Sequence, residues 1–219
     1  MTLALYGHPF SSYTQKVLVA LHENATPFAF RELEPAFPEH AAEWMRLWPL
    51  GKFPLLLDGD RAIAESSIII EHLTIAHPGP VRLLPAEPAA ALEVRFLDRF
   101  FDLHVMESMQ VAVEAAIGRL PMPTEAGLAI ARERLGRAYA WLDGQLAARD
   151  WAAGEEFTLA DCAAAPALFY ADWVHPIPEA HGALRAYRAR LLARPSFARV
   201  VEAARPYRHY FPLGAPDRD

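Results

Sequence analysis

The stretch 54-PLLLDGDRAIAESSIIIEHLTIAHPG-79 reads as two short apolar runs on either side of Asp58-Gly59, followed by a helical run that Pro78-Gly79 stops. Asp-Gly is a favoured pair for the tight turn of a β-hairpin, because both central residues there take a positive φ. Two strands joined that tightly are antiparallel. A sheet that holds this hairpin together with strands linked through helices must therefore be mixed. That requirement decides the fold class of the first part of the chain.

Working outward, residues 3–6 form a short apolar strand, and 12–24 a helix with Tyr13, Val17, Ala20 and Leu21 on one side. After Pro27 the run 28-FAFRE-32 alternates as a second strand, and a stretch with Pro35 and Pro38 leads to a helix at 39–48. With the hairpin and the helix at 66–77 the order is β-α-β-α-β-β-α, the unit order of a thioredoxin-like domain with a mixed sheet. Pro78, Pro80, Pro85 and Pro88 mark a linker. Beyond it strand signals vanish. Leu92, Phe96, Phe100 and Leu103 recur at helical spacing in a run to Gly118, which 121-PMP-123 breaks; further helices follow at 124–149, from 158, at 180–193 and at 195–204. The expectation is an α/β domain at 1–79, a linker at 80–88 and an all-α helical bundle at 89–219.

Composition narrows the function. The 219 residues are 53% hydrophobic and 22% charged, enough for one large or two small domains with ordinary cores. No run approaches the roughly 20 apolar residues of a membrane span. The start MTLALYGHPF lacks a charged n-region and a long apolar h-region, so no signal peptide and a cytoplasmic protein are expected. The formal charge, 21 − 27 = −6, argues against a nucleic-acid partner. Only Cys162 is present, which excludes an intramolecular disulfide. The nine histidines show no H-E-x-x-H and no Cys/His cluster, so no metal is expected. The tail 205-RPYRHYF-211 reads as a strap packed on the fold.

Four local motifs stand out, two of them suited to binding chemistry and two to folding, together with the mouth of the first helix. In 51-GKFP-54 a proline opens a strand, where the ladder has not begun; with a cis Phe53–Pro54 bond, the backbone of Phe53 is open to pair with a peptide as with an extra strand. In 65-ESSIIIEHL-73, Ser66 is expected to cap a helix whose N–H groups favour a carboxylate, with Glu65 alongside to take an ammonium. That pairing suits an α-amino acid head group. Thr158-x-x-Asp161 is a capping box with a folding role, beside an inert, buried Cys162, and Pro195 in 194-RPSF-197 begins a last helix. At the first helix, Ser12-x-x-Gln15 also reads as a capping box, leaving Ser11 just outside with the positive helix end behind it. A thiol held there would be pushed toward thiolate.

Together these features resemble a cytosolic glutathione S-transferase over essentially all of 1–204, in particular a serine-type, theta/phi/zeta-like member of bacterial style. The resemblance implies that glutathione is the co-substrate, held by the backbone around Phe53 and Pro54 and by Glu65 and Ser66 at its γ-glutamyl end. Ser11, six residues before Val17, matches the serine that activates the thiol. Tyr6 and Ser12 are its rivals, Tyr6 standing where tyrosine-type members keep a catalytic phenol. Lys52 replaces a glutamine that contacts the glycyl end, and His40 is similar to a phi-class glutathione ligand with longer spacing to Gly51. Tyr13 stands where the zeta class has cysteine, which weighs against a maleylacetoacetate isomerase. Phe10, Met106 and Gln110 are expected to line the apolar side of a cleft that takes a small hydrophobic electrophile. A homodimer is implied by the resemblance alone. Two other readings stay open: a glutathione-dependent peroxidase acting on organic hydroperoxides, and a non-catalytic ligand-binding or interaction protein of the same fold.

Overall fold

The computed structural model describes residues 3–219; Met1 and Thr2, which the sequence reading includes in the first domain, lie outside the described residues. The first half contains β1 (Leu3–Gly7), α1 (Ser12–Glu23), β2 (Phe28–Glu32), α2 (Pro38–Leu47), β3 (Leu55–Asp58), β4 (Arg61–Ala64) and α3 (Ser66–Ala76). The strands form one sheet in the order β2-β1-β3-β4. β1 and β2 are parallel, whereas β1–β3 and β3–β4 are antiparallel. The mixed sheet follows from this hairpin, but Asp58 still pairs with Arg61, so the turn is Gly59-Asp60, one residue later than expected, and only Gly59, at φ 60°, takes a positive φ there. The order β-α-β-α-β-β-α is the thioredoxin-like arrangement expected.

The second half is all-α: α4 (Pro88–Phe100), α5 (Glu107–Ala116), α6 (Thr124–Leu146), α7 (Leu159–Val174), α8 (Gly182–Ala193) and α9 (Pro195–Ala204). The helix expected from 88 to 118 is one continuous run, but its middle, Phe101–Met106, widens into a π-helical turn between α4 and α5. Pro88, counted with the linker, is the first residue of α4. Every residue of α7 except Trp173 is buried, the pattern of a central helix that is apolar on all sides. Its start is held by the capping box: Asp161 accepts from the Thr158 N–H at 2.8 Å and also from Ala152 N–H and the Tyr187 hydroxyl. Cys162 beside it is fully buried, and burial pushes its thiol up, away from reactivity. The 205–211 tail is a strap: a 3-10 turn, Arg205–Tyr210, whose Tyr207 hydroxyl donates to Glu32 of β2.

The two halves are joined by a polar contact that the apolar pattern does not show. Lys16 of α1 is 1% exposed. Its Nζ lies 2.6 Å from Asp98 and 2.8 Å from Asp102, and donates to Ser67 of α3 at 2.9 Å. Arg99 adds a second cation, donating to Ser67 at 2.7 Å and pairing with Asp102. Two cations and two carboxylates balance, yet burial pushes the Asp102 carboxyl above the usual range against the pull of Lys16. Nearby, the Gln15 side chain donates to Pro9 O and to the Tyr170 hydroxyl of α7, both at 2.9 Å.

Removing one member of a buried ion group leaves its partners uncompensated. Lys16→Ala is expected to cost about 3–5 kcal/mol at neutral pH, against less than about 0.5 kcal/mol for Glu133→Ala at the exposed Glu133–Arg137 pair. In the lysine variant the folded-state carboxyl is raised further above its unfolded value, so the loss shrinks as pH falls and the carboxyl takes up a proton. Urea unfolding at neutral and mildly acidic pH reads both effects.

Candidate functional site

Three segments meet at one end of the sheet. Tyr6 pairs with Leu55, and Leu55 with Ala64. The loop after β1, the residues before β3 and the residue after β4 therefore lie side by side, bringing 8–12, 52–54 and Glu65 together. Gly7 is needed for the first: a Cβ there would sit 2.6 Å from the Thr14 side chain.

Ser11, not Ser12, caps α1. Its backbone is extended (φ −83°, ψ 123°), its carbonyl accepts from Gln15 N–H at 2.8 Å, and its Oγ accepts from Thr14 N–H at 3.3 Å. Ser12 is the first helical residue and is buried. The Ser12-x-x-Gln15 capping box does not form because Ser12 lies inside the first turn and the Gln15 side chain is turned to donate to Pro9 and Tyr170. The Ser11 bond uses an acceptor lone pair, so the hydroxyl proton stays available to a second group.

Tyr6 is 1% exposed, and its hydroxyl donates to Glu43 of α2. Burial, reinforced by Glu43, pushes that phenol up to about 12. Tyr13, half-buried on α1, is likewise kept protonated, first by burial and then by Asp102, Glu107 and Glu65. That set of neighbours puts Tyr13 between the two halves of the protein, within electrostatic reach of Glu65.

The Phe53–Pro54 bond is cis, with Pro54 buried and Phe53 half open to solvent. Gly51 takes φ 66°, a conformation that favours glycine. Lys52 is exposed, and among the described residues its ammonium is in no ion pair; its carbonyl accepts from Trp44 Nε1 at 3.0 Å. His40, in the first turn of α2, places Nδ1 2.9 Å from Glu32 O, and its ring stacks on Phe37. Lys52 thus lies in the loop before Pro54, tied to the last turn of α2 through Trp44, whereas His40 sits at the opposite end of α2 over the end of β2.

Ser66 does not cap α3. The cap position belongs to Glu65, whose carbonyl accepts from Ile69 N–H at 2.8 Å, while Ser66 is the first helical residue and is buried. Glu65 has φ 69°, a left-handed backbone that costs a non-glycine residue about 1–3 kcal/mol and that clusters at functional sites. Its side chain makes no cap hydrogen bond. The first turn of α3 thus has no side-chain acceptor, and its N–H groups suit an external carboxylate. Glu65 itself is exposed beside them.

The apolar side differs from the sequence expectation. Met106 is 2% exposed and packs in the core, inside the π-helical turn. Gln110 is half-buried on α5. Phe10 packs edge-on against Tyr170 at 5.3 Å and near Trp173 at 6.3 Å, as part of the contact between domains. A cavity of about 430 Å³ lies elsewhere, lined by Phe100, His104, Arg134 and Trp141 among others. Sequence reasoning missed the Lys16–Ser67–Asp98–Arg99–Asp102 group behind Ser66. The available signal was Lys16 at the head of the apolar run 16-KVLVAL-21.

Two family models match the chain: "Glutathione S-transferase, N-terminal domain" over residues 5–81 and "Glutathione S-transferase, C-terminal domain" over 102–195. Maize "Glutathione S-transferase 3" is 30% identical over 210 residues, covering 92% of this chain and 94% of the relative. "FtsZ-localized protein A" of Caulobacter vibrioides is also 30% identical, over 207 residues and 90% of each chain. Among solved structures, a glutathione S-transferase from Sinorhizobium meliloti superposes with a TM-score of 0.77 at 25% identity, over 92% of this chain and 93% of its own.

The cap assignment makes a stability prediction. Ser11→Ala should lose about 0.5–2 kcal/mol of a helix cap, and Ser12→Ala should lose less. Tyr6→Phe should cost about 0.5–1.5 kcal/mol through the bond to Glu43. Denaturant midpoints of the three variants rank them; a larger loss at Ser12 than at Ser11 would contradict the geometry.

Proposed function

The chain belongs to the glutathione S-transferase family, and from that premise we propose that it is a serine-type glutathione transferase that joins the glutathione thiolate to small apolar electrophiles. The observation that carries this reading is Ser11: an N-cap hydroxyl that accepts from Thr14 N–H and keeps its own proton to donate. The tripeptide lies along the sheet end, its cysteinyl residue against the Phe53 backbone and its γ-glutamyl carboxylate at the open first turn of α3. Glu65 takes the ammonium, and Lys52 with His40 takes the glycyl carboxylate. The sulfur then sits at the positive end of α1 beside Ser11. Lowering a thiol of about 8.5 by ~2 units stabilises the thiolate by roughly 2.7 kcal/mol. The thiolate attacks the electrophile, the S–C bond forms, and the leaving group departs with its electron pair.

Tyr6 is the weaker candidate because its hydroxyl is already given to Glu43. A peroxidase would use the same thiolate and differ only in its acceptor. A non-catalytic reading draws on the Caulobacter relative, whose name describes localisation rather than an activity.

We also read the exposed Ile68 and Ile75 of α3 and Leu92 and Phe96 of α4 as a homodimer face. They flank the Glu71–Arg95 pair that ties these helices together. Ile75→Asp with Phe96→Asp should shift sedimentation from dimer to monomer; a monomeric wild-type protein would remove this part of the reading.

The catalytic reading is tested by glutathione calorimetry and by absorbance titration of the bound thiol. Glu65→Ala should weaken glutathione binding by about 1.5–3 kcal/mol. Ser11→Ala should raise the bound thiol's pKa and cut turnover with an aryl halide. No binding at millimolar glutathione favours the non-catalytic reading. Loss of the thiolate in Tyr6→Phe, with retention in Ser11→Ala, would make Tyr6 the activating group.

A further inference from the structure

At the far end of α3 from Glu65, two imidazoles and a carboxylate converge. Asp58 closes β3 at the hairpin turn, His72 lies on α3, and His77 is its C-cap residue. His72 Nε2 is 2.9 Å and His77 Nε2 2.8 Å from the same oxygen, Asp58 Oδ2. Potential ligand atoms of all three lie within 4.8 Å of one another. The geometry points to a divalent transition-metal site, of the Zn²⁺ type, built from Asp58, His72 and His77.

The chemistry fits that class of ion. Two imidazole nitrogens and one carboxylate oxygen are a donor set of intermediate softness that suits Zn²⁺ and its neighbours over Mg²⁺ or Ca²⁺. Zn–N and Zn–O bonds of about 2.0–2.2 Å place ligand atoms roughly 3.3 Å apart. The existing Nε2–Oδ2 separations are already close to that spacing, so the rings need only small adjustments. Both Nε2 atoms now face an acceptor as donors. On metal binding each Nε2 gives its proton to solvent, the neutral ring takes the Nδ1–H tautomer, and the freed Nε2 lone pair turns toward the ion. The side chains of His72, His77 and Asp58 are 14%, 30% and 19% exposed, leaving room for water to complete a four-coordinate ion. The negative C-terminal end of α3 adds a favourable field for a cation. A bound ion would clamp the β3–β4 hairpin onto α3.

The other carboxylate–histidine group, His8 with Glu32 and Glu34, fits less well. It offers one imidazole. His8 Nδ1 already accepts from Phe10 N–H and its Nε2 is paired with Glu34, while Glu32 accepts from Tyr207.

The test titrates Zn²⁺ calorimetrically into the full chain in thiol-free buffer, using wild type, His72→Gln, His77→Gln and His8→Gln. The expected result is one Zn²⁺ per chain, at least about tenfold weaker binding in His72→Gln and His77→Gln, and unchanged binding in His8→Gln. Zn²⁺ should also raise the melting temperature of wild type and His8→Gln alone. Melting curves without metal show whether each variant folds. Because His77 lies at a helix end, its variant keeps the test valid should His72→Gln unfold. Absence of binding at tens of micromolar Zn²⁺, wild-type affinity in folded His77→Gln, or loss of binding only in His8→Gln overturns the proposal. The two histidines would then be hydrogen-bonded staples of the hairpin.

Discussion

The buried ammonium of Lys16 is the constraint on which the remaining architecture depends. An ion at 1% exposure persists only with its counter-charges fixed around it. The group around it comes from two separate segments: Ser67 at the start of α3, and Asp98, Arg99 and Asp102 on the continuous helical run of α4 and its π-helical turn. Each segment must therefore hold one position relative to α1. The front of the same assembly carries Ser11 at the mouth of α1 and Glu65 and Ser66 at the mouth of α3. A polar knot behind the helix starts thus fixes the spacing between a group that can donate to a thiol and groups that can hold an amino acid. Apolar packing alone would tolerate a small slide of α1 against α3; a four-charge group with matched hydrogen bonds does not.

The fold was legible because its cues are local. The hairpin turn at Gly59, Pro27, the proline-rich linker and the capping box at Thr158 each act within a few residues. Tertiary structure can shift such features but seldom erases them. The site was legible as a set of positions rather than as a set of roles. Ser11, Lys52, Phe53, Pro54, Glu65 and Ser66 were picked out, and the sheet register brings their segments to one end. The cap roles were misread by one residue at both helices. At α1 the cause is Gln15, whose amide is drawn to Pro9 and Tyr170 by a contact 155 residues away in sequence. At α3 it is the positive φ of Glu65, a backbone state that no side-chain pattern announces. Met106, expected to line the cleft, instead lies buried in the core within the widened turn at 101–106. The role of Lys16 is hard to read for the same reason that it matters: its partners lie on two other segments, 51 and 86 residues away at Ser67 and Asp102.

α3 concentrates two kinds of chemistry because a helix has two unlike ends. Its first turn has unpaired N–H groups and no side-chain cap, a place for an anion. Its last turn has the opposite polarity and gathers His72 and His77 over Asp58. Eleven residues at about 1.5 Å each keep the ends roughly 16 Å apart, so a charge at one is largely screened from the other by solvent. Any communication between them has to pass through the position of the helix, and Lys16 pins that position near its N-terminal end.

Ser11 can be both a cap and a hydrogen-bond donor because a hydroxyl is not used up by one partner. Capping takes an acceptor lone pair; activating a thiol takes the proton. At 3.3 Å the bond from Thr14 N–H is long, so the oxygen is oriented more than consumed. In the proposed role, a sulfur at this end of α1 would take the remaining proton of that hydroxyl, in the field of the first-turn N–H groups. A phenol in the place of Tyr6 faces the reverse situation. Its proton is committed to Glu43, and burial of the ring holds that proton on the oxygen. The difference between the two hydroxyls lies in where their second partners are. For Tyr6 that partner is inside the protein; for Ser11 it has to come from outside.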